Sequence, residues 1–259
     1  MTNAKYEAWM NGKALGDVSP DLFITGIAYK PASPTVSVVE LAGMNGEMEG
    51  ASRWSGATVT ISFILQRSTE AKRQEIIQAV YAWAKRGTLE ISDRPGKRLH
   101  VVCGGAPFVP DMLSWTNIMS VTLQTMEKPF WEEKVPVSIQ LTAGTSGSGS
   151  LYVPGNAGKT CVEATVTPGS GSTMANCTLT VAGKTFTLTG VNATSSNPLR
   201  VTYDSRGILS IKVGTTSVLD KRSAASADDL LAECGAANAV SFTSSASATV
   251  VFSARGLWT

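Results

Sequence analysis

The most regular pattern in the chain is an alternation of apolar and polar residues over residues 58–65. Val59, Ile61, Phe63 and Leu65 are apolar, and most residues between them are Ser or Thr. Side chains of a strand point alternately to its two faces, so this pattern predicts a strand with one buried face. Similar segments predict further strands in the N-terminal part at residues 22–29, 35–41, 88–92, 99–103, 119–124 and 135–141.

Residues 69–86 form the one segment with a convincing helical period. Ile76, Ile77, Val80, Trp83 and Ala84 are spaced so that they share one face of a helix. Thr69 and Glu70 suit a first turn, and Gly87 is typical of a helix end. The sequence therefore predicts an amphipathic helix that covers part of a sheet.

The C-terminal part predicts only strands and turns. Residues 177–181 and 185–189 flank the turn Ala182-Gly183-Lys184, and residues 199–203 and 208–213 flank a turn at 204–207. Separate strands are expected at residues 240–242 and 249–252, with a helical turn at 226–234. Short strands at regular spacing are typical of a β-sandwich or jelly roll.

The stretch 143–150 contains six Gly or Ser residues among its eight. Such a composition is typical of flexible linkers, and five of the six tryptophans precede it. The sequence thus predicts an N-terminal domain at 1–142, a Gly/Ser linker at 143–150 and a C-terminal domain at 151–259. The expected fold is mainly β, with an N-terminal split β-barrel or sandwich that carries one α-helix.

Composition and charge argue against several classes of protein. The 22 Lys and Arg nearly balance the 20 Asp and Glu, which does not favour direct binding to nucleic acid. No apolar run is long enough for a membrane-spanning helix, and residues 1–12 lack the core of a secretory signal. Folding in the cytoplasm of the producing cell is expected, with Cys103, Cys161, Cys177 and Cys234 as free thiols. Whether Cys161 and Cys177 are neighbours stays open.

The inventory of reactive groups predicts no catalytic site, cofactor or metal. His100 is the single histidine, and its position between Leu99 and Val101 favours a structural role. No G-x-S-x-G motif is present. Glu47 and Glu49 lie in a Gly- and Asn-rich stretch that indicates a mobile loop instead of a rigid carboxylate pair.

Several segments resemble, in order and spacing, the distal tail proteins of siphophages. In the N-terminal part these are Leu41-Ala-Gly-Met-Asn-Gly46, the predicted strand 58–65, the helix 69–86, residues 89–97 and 119–131. In the C-terminal part they are residues 179–188, the Tyr203-Asp204 hairpin and Ala254-Arg-Gly-Leu-Trp258. The resemblance covers nearly the whole chain, and no single motif in it is diagnostic.

The resemblance implies a structural, non-enzymatic virion protein of the tail tip or baseplate with a galectin-like C-terminal domain. Its expected form is a hexameric ring assembled in the host cytoplasm, which joins the tail-tube protein to the tail-tip hub and takes part in host adsorption. Receptor-binding or fibre proteins are further expected partners of the C-terminal domain. Two alternatives remain open, a carbohydrate-binding tail adhesin and a tail-tube subunit.

Two segments carry the candidate inter-subunit contacts. The first is residues 43–56, expected to be a flexible excursion that becomes ordered against another subunit, and it contributes Met44, Met48, Arg53 and Trp54. The second is the turn at 93–98, which contributes Arg94, Lys97 and Arg98. For this cationic turn, a contact with an acidic neighbouring ring and a simple solvated hairpin turn are both open.

Overall fold

The computed structural model describes residues 6–40, 47–66, 69–105, 118–125, 128–204 and 206–259. The chain divides into two compact units, Met1–Trp131 together with Thr259, and Glu132–Trp258. Over the described residues the fold is mainly β with one α-helix in the N-terminal unit, as the sequence predicts.

The N-terminal unit is built on one antiparallel sheet. Its elements are β1 (Ala8–Met10), β2 (Lys13–Ala14), β3 (Leu22–Lys30), β4 (Pro34–Glu40), β5 (Glu47–Trp54), β6 (Thr58–Leu65), α1 (Glu70–Ala84), β7 (Arg86–Ile91), β8 (Lys97–Cys103) and β9 (Ile118–Gln124). The sheet order is β2-β1-β7-β8-β9-β6-β3. Strand β6 lies between β3 and β9, and its alternate residues Val59, Ile61 and Phe63 have no exposed surface. The alternation in the sequence thus corresponds to a buried face of the sheet.

Helix α1 packs against β8, β9 and a short 3-10 helix at Leu15–Val18. The side chain of Thr69 caps its N-terminus by accepting a hydrogen bond from the backbone N–H of Lys72. All five residues of its predicted apolar face are buried, and the indole of Trp83 donates to the carbonyl of Lys13 at 2.8 Å.

The predicted helix end at Gly87 is wrong, because α1 stops at Ala84 and Gly87 lies inside β7. A Cβ at Gly87 would overlap the side-chain amide of Asn11. That amide donates to the carbonyl of Arg86 and accepts from the N–H of Thr88. Gly87 therefore makes room for a side chain that binds the backbone on both sides of it.

Most strands of the C-terminal unit form a two-sheet β-sandwich. The strands of the unit are β10 (Trp131–Glu133), which begins at the unit boundary, β11 (Val137–Val153), β12 (Lys159–Pro168), β13 (Thr173–Val181), β14 (Lys184–Thr194), β15 (Leu199–Tyr203), β16 (Leu209–Val213), β17 (Thr216–Ser217), β18 (Leu231–Glu233), β19 (Ala236–Ala254) and β20 (Leu257–Trp258). Of these, β10 and β20 pair with each other and do not belong to the sandwich. Both predicted hairpins are present, and Ala182 and Gly183 turn the first of them with positive φ angles.

Two long strands, β11 and β19, contribute to both sheets of the sandwich. They pair with each other along most of their length. On its other side, β19 pairs first with β13 and then with β12. One sheet is therefore β14-β13-β19-β11, and the other is β17-β16-β15-β12-β19-β11. The core between them contains Phe186, Phe242 and Phe252.

The predicted flexible linker at residues 143–150 is wrong, because these residues belong to β11. Register shifts between Leu141 and Ser146 place a bulge there, which lets the strand pass from one sheet to the other. Gly147 lies opposite Phe242, and a Cβ at Gly147 would be 2.8 Å from the ring atom Cε1. The glycines therefore serve close packing, and the units divide at residues 131 and 132.

Two smaller predictions for this part are also wrong. The strands expected at 240–242 and 249–252 are one strand, β19, in which the hydroxyl of Ser244 donates to the carbonyl of Ala246 and that of Ser245 accepts from the N–H groups of Ala175 and Asn176. These bonds let a Ser- and Ala-rich stretch continue the strand. The helical turn expected at 226–234 is absent, because residues 231–233 form β18 and pair with β12.

Candidate assembly surfaces

The hairpin of β4 and β5 forms a two-stranded sheet of its own, which we call the arm. Its strands pair from Pro34↔Trp54 to Glu40↔Glu47, and no other described strand pairs with either of them. At about 3.3 Å per residue, the seven residues of β4 span about 23 Å. The expectation that residues 43–56 form a flexible excursion is therefore wrong for residues 47–54, which are a paired strand.

Hydrogen bonds join the two segments of the chain that enter and leave the arm at its base. The N–H of Ser33 donates to the hydroxyl of Ser55 at 2.9 Å, and the N–H of Ser55 donates to the carbonyl of Ser33 at 2.8 Å. Two residues after Ser55, the N–H of Ala57 donates to the hydroxyl of Thr125. An isolated two-stranded hairpin has little stability of its own. These hydrogen bonds therefore stabilise the arm at its base.

Trp54 lies at this base and is 43% exposed. Its ring meets that of Phe130 edge to face, with centroids 5.1 Å apart and planes at 78°. Arg53, beside it, is also exposed. Large aromatic and Arg side chains are the residue types that most often dominate protein interfaces, so this pair is well suited to a contact.

Two further residues, Met48 and Met44, are expected in this contact. Met48 lies in β5, with its backbone opposite Val39. Met44 lies outside the described residues.

Arg94 points into the chain's own aromatic residues. Its guanidinium carbon lies 4.4 Å from the ring centroid of Tyr29 and 5.3 Å from that of Trp131, and its Nη1 donates to the carbonyl of Thr259 at 3.1 Å. Tyr29 and Trp131 also meet edge to face at 5.7 Å. Burial raises the pKa of Tyr29, and the nearby charge of Arg94 opposes that rise.

The two remaining cations of this turn are half-buried. Gly96, with a positive φ of 76°, closes the turn, and Lys97 and Arg98 are the first residues of β8. The three cations of the turn therefore do not share one environment. Arg94 packs on aromatic rings, whereas Lys97 and Arg98 belong to a strand. The sequence pattern carried no sign of the Tyr29–Arg94–Trp131 cluster, since its members are 37 to 102 residues apart in the chain.

Reactive groups are dispersed over the described residues. The imidazole of His100 lies 3.4 Å from the hydroxyl of Thr88 across the β7–β8 pair. All four cysteines are free thiols, and burial raises the pKa of Cys177 to about 12. Within the described residues no group of three or more His, Cys, Asp or Glu side chains is arranged to bind a metal, and no helix is long and apolar enough to cross a membrane.

Three aromatic residues of the C-terminal unit are candidate sugar-stacking surfaces. Tyr203 uses its hydroxyl to accept from the N–H of Leu230 at 2.8 Å, and burial raises its pKa. Trp258 donates from its indole to the carboxylate of Glu133 at 2.8 Å. Tyr152 on β11 is 59% exposed and is the member of this set that presents most of its ring to solvent.

Comparison with known proteins finds similarity at the level of structure. No family model matches the chain, and no curated protein matches it by sequence. The chain is similar to the crystal structure of Dit of phage SPP1, described as a paradigm of the hub adsorption apparatus in phages that infect Gram-positive hosts. The two share 13% identity with a TM-score of 0.72, over 96% of this chain and 98% of that one.

Two structures of the phage p2 baseplate in its activated conformation, with Sr and with Ca, also align with the chain. Both share 9% identity with it and cover 97% of their own chains, with TM-scores of 0.49 and 0.48 over 96% and 97% of this chain. The similarity to SPP1 Dit extends from end to end of both chains. The resemblance predicted from the sequence is therefore confirmed for the fold: this chain has the fold of a phage distal tail protein.

Proposed function

We propose that the protein is a structural component of a phage tail tip, where copies of it form a ring between the tail tube and the tail-tip hub. The observation that carries the proposal is the end-to-end similarity of its fold to SPP1 Dit. A hexamer is the expected ring, as the resemblance in the sequence implies. The proposed role is non-enzymatic, with the virion tail tip as its place.

The arm supports self-assembly through the N-terminal unit. Its strands have backbone N–H and C=O groups on their outer edges that no described strand pairs, and such edges attract further strands. The exposed pair Arg53 and Trp54 adds side chains that suit an interface. A neighbouring subunit would satisfy the backbone edge and bury Trp54 in one contact.

The alternative of a tail adhesin is carried by a single feature, the exposed ring of Tyr152. Sugar recognition commonly combines an aromatic surface with nearby polar groups, and the other two candidate aromatics are engaged in hydrogen bonds. A tail-tube subunit would assemble into long tubes instead of discrete rings. Glycan binding by the monomer, or long tubes of the purified protein, would favour these alternatives.

The experiment compares the assembly of two matched variants of the full chain. Trp54→Ala removes the proposed contact, and Tyr81→Ala removes an aromatic ring on α1 with the same 43% exposure. Light scattering after size-exclusion chromatography measures the mass of each. We expect Trp54→Ala to lower the assembled fraction at least tenfold and Tyr81→Ala to leave it unchanged.

Thermal unfolding of the two monomers is the control for folding. Trp54 touches Phe130 but lies outside the buried core, so both variants should unfold within a few degrees of the wild type. If Trp54→Ala unfolds the monomer, Trp54 is a core residue and the contact assigned to it is wrong. If both variants assemble normally, the arm base is not the interface.

A further inference from the structure

Besides the three-residue strand β18, the described sandwich of the C-terminal unit has three strands at its edges, and two of them are closed. Residues 222–227 cover the outer edge of β14, where the N–H groups of Ser223 and Ala227 donate to the carbonyls of Thr187 and Thr185, both at 2.9 Å. The N–H of Thr187 in turn donates to the hydroxyl of Ser226 at 2.9 Å. The other sheet ends in β17, which has only two residues. Short or covered edges are the usual means by which proteins prevent unwanted strand pairing.

The third edge strand, β11, lacks these protections. It is 17 residues long, and its described pairing is with β19 alone. The segment Ser146–Val153 keeps one continuous register with β19 over eight residues, or about 26 Å. Between Val137 and Val153 the strand contains no charged residue and no proline, the two residue types that most often block an exposed edge.

Side chains leave the approach to this edge open on both faces. Ser146, Ser148 and Ser150 are exposed and small, and Tyr152 continues the same face with 59% of its surface exposed. On the opposite face Gly147 and Gly149 have no side chain. The side chains of Phe242, Ile139 and Leu141 occupy the space beside these two glycines. An added strand would therefore meet few steric obstacles.

We propose that the edge of β11 at Ser146–Val153 is a docking site for an extended strand of a different protein, which joins the sheet through backbone hydrogen bonds. Unpaired N–H and C=O groups in a regular row are complementary to another extended backbone and to little else. The proposal holds whether or not the chain forms a ring, because it concerns the C-terminal unit alone.

The chemistry of the edge also indicates what kind of strand fits. An uncharged edge selects an uncharged segment, since a charge placed against it would find no partner. Ser and Gly offer little surface, so the stabilising contacts across the strands must come from β-branched or aromatic residues of the incoming segment. A second copy of β11 is poorly suited, because five of the eight residues in Ser146–Val153 are themselves Ser or Gly.

The test uses the full-length protein and a display library of random 12-residue peptides as the probe. Selected peptides should lack proline and charge and carry β-branched or aromatic residues at alternate positions. Hydrogen exchange measured by mass spectrometry should then show slower exchange of backbone amides within Ser146–Val153 on addition of peptide. The variant Ser148→Lys with Ser150→Lys should weaken binding at least tenfold. The control Thr189→Lys, at an exposed position of the covered strand β14, should bind as the wild type does.

Each other outcome contradicts the proposal. A library that yields no binder, or a binder that protects amides elsewhere, would show that this edge does not accept strands. Equal binding by the double Lys variant would exclude Ser146–Val153 as the site. Concentration-dependent dimerisation that the two Lys substitutions abolish would identify a second copy as the occupant and overturn the assignment to a different protein.

Discussion

Replacing Gly147 with Ala tests the assignment of the Gly/Ser stretch to a packed strand. The added Cβ would lie 2.8 Å from Cε1 of Phe242, whereas carbon atoms in contact are normally about 3.5–4.0 Å apart. Phe242 is 2% exposed and belongs to the core, so its ring has little room to move. Overpacking of this kind costs about 1–3 kcal/mol. A unit of this size loses roughly 4 °C in Tm per kcal/mol, so the expected fall is roughly 4–12 °C.

A flexible linker predicts the opposite sign for the same change. In an unpacked segment, Gly→Ala stabilises by about 0.4–1 kcal/mol because it restricts the unfolded chain. Scanning calorimetry of the full chain measures the difference, with Ser148→Ala as a control whose exposed side chain should change stability by less than about 0.5 kcal/mol. In a Phe242→Leu background the cost of Gly147→Ala should shrink, because the clashing ring is gone. An unchanged or raised Tm for Gly147→Ala would refute the packing argument.

Three further substitutions have defined outcomes. Asn238→Leu should lower the free energy of unfolding in urea by about 2–4 kcal/mol. The reason is that the buried amide accepts from the N–H of Glu233 and donates to the carbonyls of Glu233 and Ala236. A loss below about 1 kcal/mol would contradict this role. Burial raises the pKa of Cys177 to about 12 from 9.0, so the buried thiol contributes its full stabilisation below pH 9, and above pH 9 the free energy of unfolding falls by up to about 1.4 kcal/mol per pH unit. The free energy of unfolding of Cys177→Ala should therefore fall less steeply than that of the wild type between pH 9 and 11. Equal slopes for the two proteins would contradict this role of the buried thiol. Arg94→Leu should lower the free energy of unfolding of the monomer by about 1–3 kcal/mol, because Arg94 contacts Tyr29, Trp131 and Thr259. Loss of assembly at an unchanged Tm would instead favour a contact of Arg94 with a neighbouring ring.

The strands and the helix could be predicted because their signals are local. The alternation at residues 58–65 depends only on which side chains are apolar, and the structure has β6 at Thr58–Leu65. The helical period located α1 apart from its C-terminal end, along with all five residues of its buried face. The errors arose where a residue type serves two purposes. Gly-rich stretches are used in flexible linkers and in tight strand corners, and what distinguishes them at Gly147 is Phe242, 95 positions further along the chain.

The candidate contacts were only partly accessible from the sequence for a similar reason. The sequence marked Trp54 and Arg53 as interface types, and the structure leaves both exposed at the base of the arm. The sequence also marked Arg94 by its charge, but Tyr29 and Trp131, the rings that occupy its guanidinium, come from distant segments. The unpaired edge of β11 could not be located from the sequence, since the N–H and C=O groups that define it belong to the backbone.

The mass and shape of the purified wild-type protein test the central claim most directly. Mass photometry and negative-stain electron microscopy of the full chain should show discrete rings with about six times the 27.1 kDa mass of one chain. Obligate ring interfaces typically bury more than about 2,000 Å², so these rings should persist on dilution to nanomolar concentration. A stable monomer at all concentrations, or long tubes instead of closed rings, would contradict the proposed role as a ring of the tail tip.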